Sequence, residues 1–185
     1  MSRPRVLIVG LTGPNAAGKG EAARVLKGLG LAYHSLSDII REEAVARGLT
    51  TGRDDLIATG NALRKEGGPG ALAERILPRL GKRDIVDSIR NPSEVEVLRT
   101  VPGFVLLGVD APIETRFERA RGREGRGDAL ENLEAFRAKE EEENTRDPAA
   151  QRLRATFALA DHVLANDGTI ESLEANLHAW LDTFE

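Results

Sequence analysis

The chain has 185 residues, of which 41% are hydrophobic, 30% are charged and 4% are aromatic, and its formal net charge is −4. This length predicts one domain, and the balance is typical of a soluble globular protein. The absence of cysteine excludes disulfides, thiol nucleophiles and thiolate metal sites. The acidic charge disfavours general binding to nucleic acid or to a membrane surface. No apolar run approaches a membrane span and no secretory signal is visible, so we expect a cytoplasmic protein.

The first predicted element is a strand at Arg5 to Val9, which is continuously apolar, as in a parallel strand buried on both faces. A glycine-rich loop follows, and then a helix from Glu21 to Leu29. Later strands are predicted at about residues 31–34, 84–87, 104–109 and 162–165. Later helices are predicted at about residues 38–47 (with Ser37 as the N-cap), 54–65, 71–80, 92–99, 113–121, 130–143, 150–159 and 170–184. This alternation predicts an α/β fold with a mainly parallel sheet of about five strands between helices.

The loop after the first strand fits the G-x-x-x-x-G-K pattern of a phosphate-binding loop (P-loop), in the strand–loop–helix setting that such a loop requires. Glycines let backbone N–H groups converge on an anion, and the helix N-terminus adds a favourable dipole. Lys19 can reach the terminal phosphates and is a predicted catalytic residue. Position 20 is glycine, where many such loops carry a Ser or Thr that holds magnesium. The predicted ATP-binding residues are the loop and its exit: Gly13, Asn15, Ala16, Ala17, Gly18, Lys19, Gly20 and Glu21.

Two polar segments follow later strands, at the sheet edge where ligands bind in such folds. In the first, Arg41 is predicted to bind an acceptor's phosphate and Asp38 to act as a polar anchor or base; the alternative is an ordinary helix start with a solvated arginine. In the second, Asp87 ends an apolar strand near the P-loop, which favours a magnesium ligand. Arg90 at the same edge is a second candidate for an acceptor phosphate. The alternative there is a turn-capping aspartate and a surface ion pair.

Five arginines, at positions 116, 119, 121, 123 and 126, lie within eleven residues around a glycine-rich loop. Phosphoryl transfer needs positive charge at the transferring group and exclusion of water, and a mobile arginine loop supplies both. We predict that Arg119, Arg123 and Arg126 are catalytic. The acidic run Glu140 to Glu143 is predicted to be a solvated helix face. The turn at Asn166 to Gly168 is equally consistent with the border of an adenine pocket and with simple turn chemistry.

Two segments contain no predicted strand, at about residues 38–80 and 116–159. Because ligands bind at the carboxyl ends of parallel strands, we interpret both segments as mobile helical flaps over a site at that edge. The first is predicted to bind the acceptor and the second to form an arginine-rich lid. Both belong to one predicted domain that spans residues 1–185, without internal repeats or low-complexity linkers.

These motifs resemble those of the P-loop nucleotide kinases. Gly18-Lys19-Gly20 is similar to the loop of adenylate-kinase-type enzymes, and Ser37-Asp38-Ile39-Ile40-Arg41 resembles their acceptor-phosphate motif. Asp87-Ser88-Ile89-Arg90 is similar to their Asp-Gly-Phe-Pro-Arg segment, shortened by one residue. The segment Ala158 to Gly168 instead resembles the C-terminal strand and turn of dephospho-CoA kinases. Over almost its whole length, the chain resembles a mostly archaeal group described as adenylate-kinase-related or dephospho-CoA-kinase-like.

The resemblance implies a three-layer P-loop kinase-type fold, ATP as the phosphoryl donor and Mg²⁺ as a cofactor. Adenylate kinases usually place Thr where this chain has Glu21. Magnesium binding would therefore depend on Asp87, on the phosphates and on water, with Glu21 as a candidate outer-shell ligand.

The leading hypothesis is an enzyme that moves the γ-phosphoryl group of ATP to a nucleoside monophosphate or similar small-molecule nucleotide. One alternative is a dephospho-CoA kinase, in which the acceptor is a ribose hydroxyl and Asp38 is the candidate base. A second is a nucleotide-binding sensor or weak ATPase without transfer activity. Neither nucleic acid nor a membrane is expected as a partner, and monomer and homodimer both stay open.

Overall fold

The structure is a computed structural model that describes residues 6–122, 132–144 and 151–184. The strands in these ranges are β1 (Leu7–Thr12), β2 (Ala32–Ser35), β3 (Arg83–Asp87), β4 (Phe104–Asp110) and β5 (His162–Ala165). The helices are α1 (Lys19–Gly28), α2 (Leu36–Ala46), α3 (Arg53–Gly67), α4 (Ala71–Ile76), α5 (Pro92–Leu98), α6 (Ile113–Arg121), α7 (Leu133–Glu143), α8 (Leu153–Phe157) and α9 (Ile170–Asp182). A turn of 3-10 helix (Leu77–Arg79) follows α4. None of the helices in the described ranges is long and apolar enough to cross a membrane.

The five strands form one sheet in the order β2-β3-β1-β4-β5, and every neighbouring pair is parallel. Because all five strands run in the same direction, their carboxyl ends lie at one edge of the sheet. Thr12, Ser35, Asp87 and Asp110 end their strands there. The predicted α/β fold with a five-stranded parallel sheet is confirmed.

Both faces of the sheet are covered, which gives three layers. Alternate strand residues point to opposite faces. On one face, residues of β1, β3 and β4 pack with α1 and α9, as Val9, Leu11, Ile85, Leu107 and Val109 do. On the other face, Ile8, Val86 and Leu106 pack with α2, α4 and α5. By the alternation of β3, Asp87 lies on the face of Ile85, which is the face that α1 covers.

Several element ends differ from the prediction. β1 extends to Thr12, because its ladder with β4 continues to the pair Thr12–Gly108 despite Gly10. The prediction of Ser37 as an N-cap is wrong: α2 begins at Leu36, and the Ser35 hydroxyl accepts the Ser37 amide at 3.2 Å. The helix predicted to end near residue 80 is α-helical only to Ile76, since Pro78 has no N–H to continue the ladder.

Two further helices are shorter than predicted within the described ranges. α7 begins at Leu133, where the Asn132 side chain accepts the Ala135 amide at 2.8 Å as an N-cap. α8 covers only Leu153–Phe157. The predicted helical residues 130–131 and 150 lie outside the described residues.

Candidate nucleotide-binding site

The loop between β1 and α1 turns on three residues with positive φ, namely Gly13 (138°), Ala16 (59°) and Gly18 (105°). A Cβ at Gly13 would overlap the carbonyl oxygen of Val109, and a Cβ at Gly18 would overlap the amide nitrogen of Asn166. Both positions therefore require glycine. Ala16 adopts a left-handed conformation that costs an L-residue about 1 kcal/mol, and such strain is typical of functional loops.

Lys19 is the first residue of α1, and its ammonium group closes the loop. It donates to the carbonyl oxygens of Gly13 and Pro14 at 2.7 and 2.8 Å. The N-cap, Gly18, has no side chain to offer the first amides of the helix. The loop thus brings a helix N-terminus and a cation to one place, which suits a polyphosphate anion.

Two side chains from distant parts of the chain approach the Ala17 carbonyl oxygen. The buried Asn166, just after β5, donates its side-chain amide to this oxygen at 2.8 Å. Nη1 of Arg119, on α6, lies 3.5 Å from the same oxygen. A cleft of about 300 Å³ beside the loop is lined by both residues and by Gly18, Glu21, Gly168 and Ile170. Its position next to the loop suits the nucleoside part of a bound nucleotide.

Arg116 and Arg119 of the arginine-rich segment contact different parts of the P-loop. Arg119 lies at the P-loop, and its catalytic role stays a prediction. Arg123 and Arg126 lie outside the described residues. Arg116 is buried and donates to the Asn15 carbonyl at 3.2 Å and to the Ala111 carbonyl at 3.0 Å. It therefore supports the back of the loop.

Glu140 of α7 pairs with the Arg116 guanidinium through both carboxylate oxygens. The Glu140 side chain is only 15% exposed. The prediction of a solvated face is therefore wrong for Glu140, although the next two glutamates are exposed. Because Arg116 also touches the P-loop, this pair attaches α7 to the back of the loop.

Asp87 ends β3 and is oriented by two donors. Its Oδ2 accepts the Tyr33 hydroxyl at 2.9 Å, and its Oδ1 accepts the amide of Ser88 at 2.6 Å. Each carboxylate oxygen has a second lone pair, so the side chain can still face a cation or its water shell. In the described residues, no group of three or more His, Asp or Glu side chains could hold a metal ion. A single carboxylate fits a magnesium ion that is held mainly by phosphates and water, with Asp87 as the protein ligand.

Glu21 points along α1. Its carboxylate pairs with Arg24 at 2.6 Å, and Arg24 in turn contacts Glu174 of α9 at 2.9 Å. The structure thus places Glu21 in a helix–helix ion-pair chain at the mouth of the cleft. Its role as an outer-shell ligand stays a prediction.

On the acceptor side, Asp38 and Arg41 lie one turn apart on α2 and pair with each other at 2.5 Å. Both side chains are about half exposed. This neutral pair is consistent with both interpretations from the sequence, an acceptor-binding pair and a solvated helix start. Arg90, in the loop between β3 and α5, donates Nη1 to the Gln151 side chain at 3.1 Å.

The backbone around Arg90 is fixed by a buried carboxylate. Glu94 Oε2 accepts the amides of Arg90 and Asn91 at 2.9 and 3.1 Å. Its Oε1 accepts Nε and Nη2 of Arg64, on α3, at 3.1 and 2.9 Å. Burial raises the pKa of Glu94 above its ordinary value, while the charge of Arg64 and the two amides act in the opposite direction.

Sequence analysis did not single out Tyr33, Arg64 or Glu94, and it predicted that Glu140 would be solvated. Only Glu94 had a readable signal, since Asn91-x-x-Glu94 before an apolar run is a capping-box pattern, and the structure contains this capping box. The partners of the other three come from distant segments, which local spacing does not reveal.

Comparison with known proteins places the chain in a family. A family model described as an AAA domain matches residues 12–137. A UPF0200 protein from Pyrococcus abyssi is 33% identical over 180 residues, which cover 92% of this chain and 93% of that protein. Another, from Aeropyrum pernix, is 34% identical over 179 residues, which cover 94% and 91%. The chain belongs to the UPF0200 family and carries this AAA domain.

Solved structures share the fold of this UPF0200 protein. A shikimate kinase from Bacteroides thetaiotaomicron superposes with a TM-score of 0.62 at 14% identity, over 96% of this chain and 99% of that chain. A sugar kinase from Janibacter superposes with a TM-score of 0.53 at 20% identity, over 96% and 95%. The predicted P-loop kinase-type fold is therefore confirmed. At these identities the likeness concerns the fold and leaves the acceptor open.

In this UPF0200 protein the predicted P-loop, metal and acceptor residues that the structure describes occupy one edge of the sheet. The P-loop follows β1, Asp87 ends β3, and Arg90 lies in the next loop. Asp38 and Arg41 lie in the first two turns of α2, directly after β2. The roles assigned to these residues stay predictions that rest on their chemistry and on this shared position.

Proposed function

We propose that this protein is an ATP-dependent kinase that transfers the γ-phosphoryl group to a nucleoside monophosphate or a similar small nucleotide. The observation that carries the proposal is the P-loop, where Lys19, the N-terminus of α1 and the strained turn at Ala16 converge. Arg41 and Arg90 lie at the same sheet edge and suit an acceptor phosphate. The proposal keeps the prediction of a cytoplasmic enzyme that acts on a small molecule.

In the proposed reaction, an oxygen of the acceptor phosphate attacks the γ-phosphorus, and the bond to the β-phosphate oxygen breaks so that ADP leaves. The loop amides and Lys19 hold the β- and γ-phosphates and stabilise the charge that develops there. Arg90 and Arg41 orient the acceptor oxygen in line with the leaving group. Arg119, with Arg123 and Arg126, brings further positive charge to the transferring group.

Magnesium is the cofactor that this chemistry calls for, and Asp87 is the residue that would hold it. When bound, it neutralises charge on the phosphate oxygens. The protein's own contribution is orientation, because Tyr33 and the Ser88 amide fix the Asp87 carboxylate toward the face that α1 covers.

The test is an ADP-release screen with ATP and, as acceptors, AMP, CMP, GMP, UMP, dephospho-CoA and shikimate, with and without Mg²⁺. We expect one nucleoside monophosphate to stimulate ADP release, with formation of the corresponding diphosphate. Lys19→Ala should lower the stimulated rate by about 100-fold or more, since it removes a charge from the transition state. Lys82→Ala is the matched control, because Lys82 precedes β3 at the opposite edge of the sheet.

A hydroxyl acceptor is the second candidate, because Asp38 is half exposed at the acceptor edge and several fold neighbours are shikimate kinases by name. Selective phosphorylation of dephospho-CoA or shikimate would reverse the order of the two proposals. In that case Asp38→Asn should abolish transfer, since a hydroxyl needs a base. ATP binding without any acceptor-stimulated ADP release would contradict both proposals and favour a nucleotide sensor.

A further inference from the structure

The Arg64–Glu94 ion pair is the most completely buried charged pair among the described residues, with side-chain exposures of 3% and 0%. Burying two charges is costly unless every hydrogen-bonding group finds a partner. Glu94 meets this condition with four donors, two from Arg64 and two from backbone amides. Surface pairs such as Glu42–Arg79 already connect α2 to the turn after α4. The buried pair therefore calls for a reason beyond holding helices together.

The two oxygens of Glu94 serve different parts of the molecule. Oε1 accepts from the guanidinium of Arg64, on α3, whereas Oε2 accepts from the amides of Arg90 and Asn91. One rigid carboxylate thus joins the acceptor-side helix to the backbone from which the Arg90 side chain projects. A change at either end of the pair removes contacts that fix this backbone.

The loop that carries Arg90 is also fixed on its other sides. The buried Thr12 hydroxyl, at the end of β1, donates to the Ile89 carbonyl at 3.3 Å. The Arg152 amide donates to the Arg90 carbonyl at 2.8 Å. Ser88 adopts a left-handed φ of 66°, which a non-glycine residue keeps only where its surroundings hold it. The contacts around Arg90 therefore determine the path of the backbone on both sides of it.

We propose that Arg64 and Glu94 are positioning residues for the acceptor phosphate. They act by holding the Arg90 backbone in a fixed position relative to α3. This inference rests on the proposed function, because Arg90 is the proposed phosphate ligand. Neither residue touches the reacting atoms. Their effect is to pre-organise Arg90, so that its guanidinium loses little freedom when it binds a phosphate.

The experiment measures phosphate binding rather than turnover. The protein is first saturated with a non-hydrolysable ATP analogue, so that the β- and γ-phosphate positions of the P-loop are both occupied, and is then titrated with inorganic phosphate while the amide resonance of Arg90 is followed by NMR. We expect a saturable shift in the wild type. Glu94→Gln should raise the phosphate Kd by on the order of tenfold, because a single amide oxygen cannot serve both Arg64 and the two backbone amides. Glu42→Gln, in the surface pair, is the matched control and should leave this Kd unchanged.

A double variant separates positioning from stability. Arg64→Met with Glu94→Met removes both buried charges together, so that no uncompensated charge remains, and the amides of Arg90 and Asn91 lose their acceptor. We expect this protein to stay folded with phosphate affinity as low as in Glu94→Gln. Wild-type phosphate affinity in either variant, or a wild-type Arg90 amide that phosphate does not shift, would overturn the inference. Failure of every acceptor in the ADP-release screen would instead contradict the proposed function, so the two failures are distinguishable.

Discussion

At the scale of single residues, Gly20 marks the main chemical difference between this P-loop and one that binds magnesium through a hydroxyl. Apart from its chain neighbours and the nearby backbone of α1, a Cβ built at Gly20 would meet no atom of the described residues within 4 Å. The glycine is therefore not required by packing, in contrast to Gly13 and Gly18. Space exists for a hydroxyl group at this position.

We expect Gly20→Ser to increase the dependence of nucleotide affinity on magnesium. A serine hydroxyl at this position would add an oxygen ligand of the kind that magnesium prefers. Isothermal titration with ATP, at several Mg²⁺ concentrations, should show half-saturation at a lower Mg²⁺ concentration than in the wild type. Gly28→Ser is the matched control, since Gly28 lies at the other end of α1 and also has free space. Equal shifts in both variants would contradict this explanation.

Tyr33 provides a direct probe of Asp87, because it is the only tyrosine in the sequence. Burial, and then the charge and hydrogen bond of Asp87, raise the pKa of Tyr33 to about 12. Since the folded-state pKa is raised above the ordinary value of 10.0, the associated stability is present below pH 10 and is lost as the pH rises toward 12.

We expect Asp87→Asn to lower the Tyr33 pKa, because it removes the negative charge that opposes ionisation of the phenol. A spectrophotometric titration of tyrosinate absorbance measures this value directly. Asp38→Asn should have a smaller effect, since the charge of Asp38 is the weakest of the influences on Tyr33. An unchanged pKa in Asp87→Asn would show that the Tyr33–Asp87 hydrogen bond does not form in solution.

Residue-level prediction from the sequence succeeded where spacing determines chemistry. Gly13 to Lys19 form one contiguous motif, and their backbone geometry follows from the glycines themselves. Arg64 and Tyr33 carry no such signal, because their partners lie 30 and 54 residues away. Their roles depend on which strands and helices become neighbours, and only the fold determines that.

At the scale of secondary-structure elements, α7 is joined to the P-loop through the Arg116–Glu140 pair and through rings. The Arg116 guanidinium lies 5.5 Å from the centroid of the Phe136 ring, and this ring is 6.0 Å from that of Phe117. Glu140→Gln would leave Arg116 buried with an incomplete partner. We expect a loss of about 2–4 kcal/mol in the free energy of unfolding.

Thermal unfolding is the measurement for this variant. A loss of that size in a chain of this length corresponds to a decrease in Tm of about 5–10 °C. Glu142→Gln, two residues further along α7 on its exposed side, should leave Tm within about 2 °C. A similar Tm for both variants would mean that α7 does not depend on the buried pair.

The acceptor-side elements are connected by a surface network that the sequence did not indicate. Arg47 of the α2 C-cap contacts Glu43 and Glu66, and Arg75 of α4 contacts Glu43 as well, all at 2.8 Å. From the sequence we predicted these helices and interpreted residues 38–80 as a mobile flap. The network indicates that α2, α3 and α4 would move together as one unit rather than as separate helices.

At the scale of the whole molecule, the order of strands was predictable only in part. Alternating apolar strands and amphipathic helices predicted a parallel sheet, because buried parallel strands need helical crossovers. The pairing of β1 with both β3 and β4 puts the P-loop at the centre of the carboxyl edge. That order depends on tertiary packing, which the local pattern does not encode.

We expect Asn166→Ala to weaken ATP binding by about tenfold, although Asn166 lies 149 residues from the P-loop residue Ala17 in the sequence. The substitution leaves the Ala17 carbonyl without its buried donor, which costs about 1–3 kcal/mol and loosens the turn at Gly18. Isothermal titration with ATP measures the loss. Asp167→Ala, at the exposed neighbouring position, should bind ATP as the wild type does. Equal affinities for all three proteins would show that the loop keeps its shape without Asn166.

The Asn166–Ala17 hydrogen bond also has a consequence for synthesis of the protein. The residues of the P-loop leave the ribosome well before Asn166, whose side chain completes the turn of the loop and follows β5. A nascent chain that ends before residue 166 contains the whole G-x-x-x-x-G-K pattern and lacks the group that fixes its shape. The growing polypeptide should therefore gain affinity for ATP only after residue 166 has been made and β5 has joined the sheet.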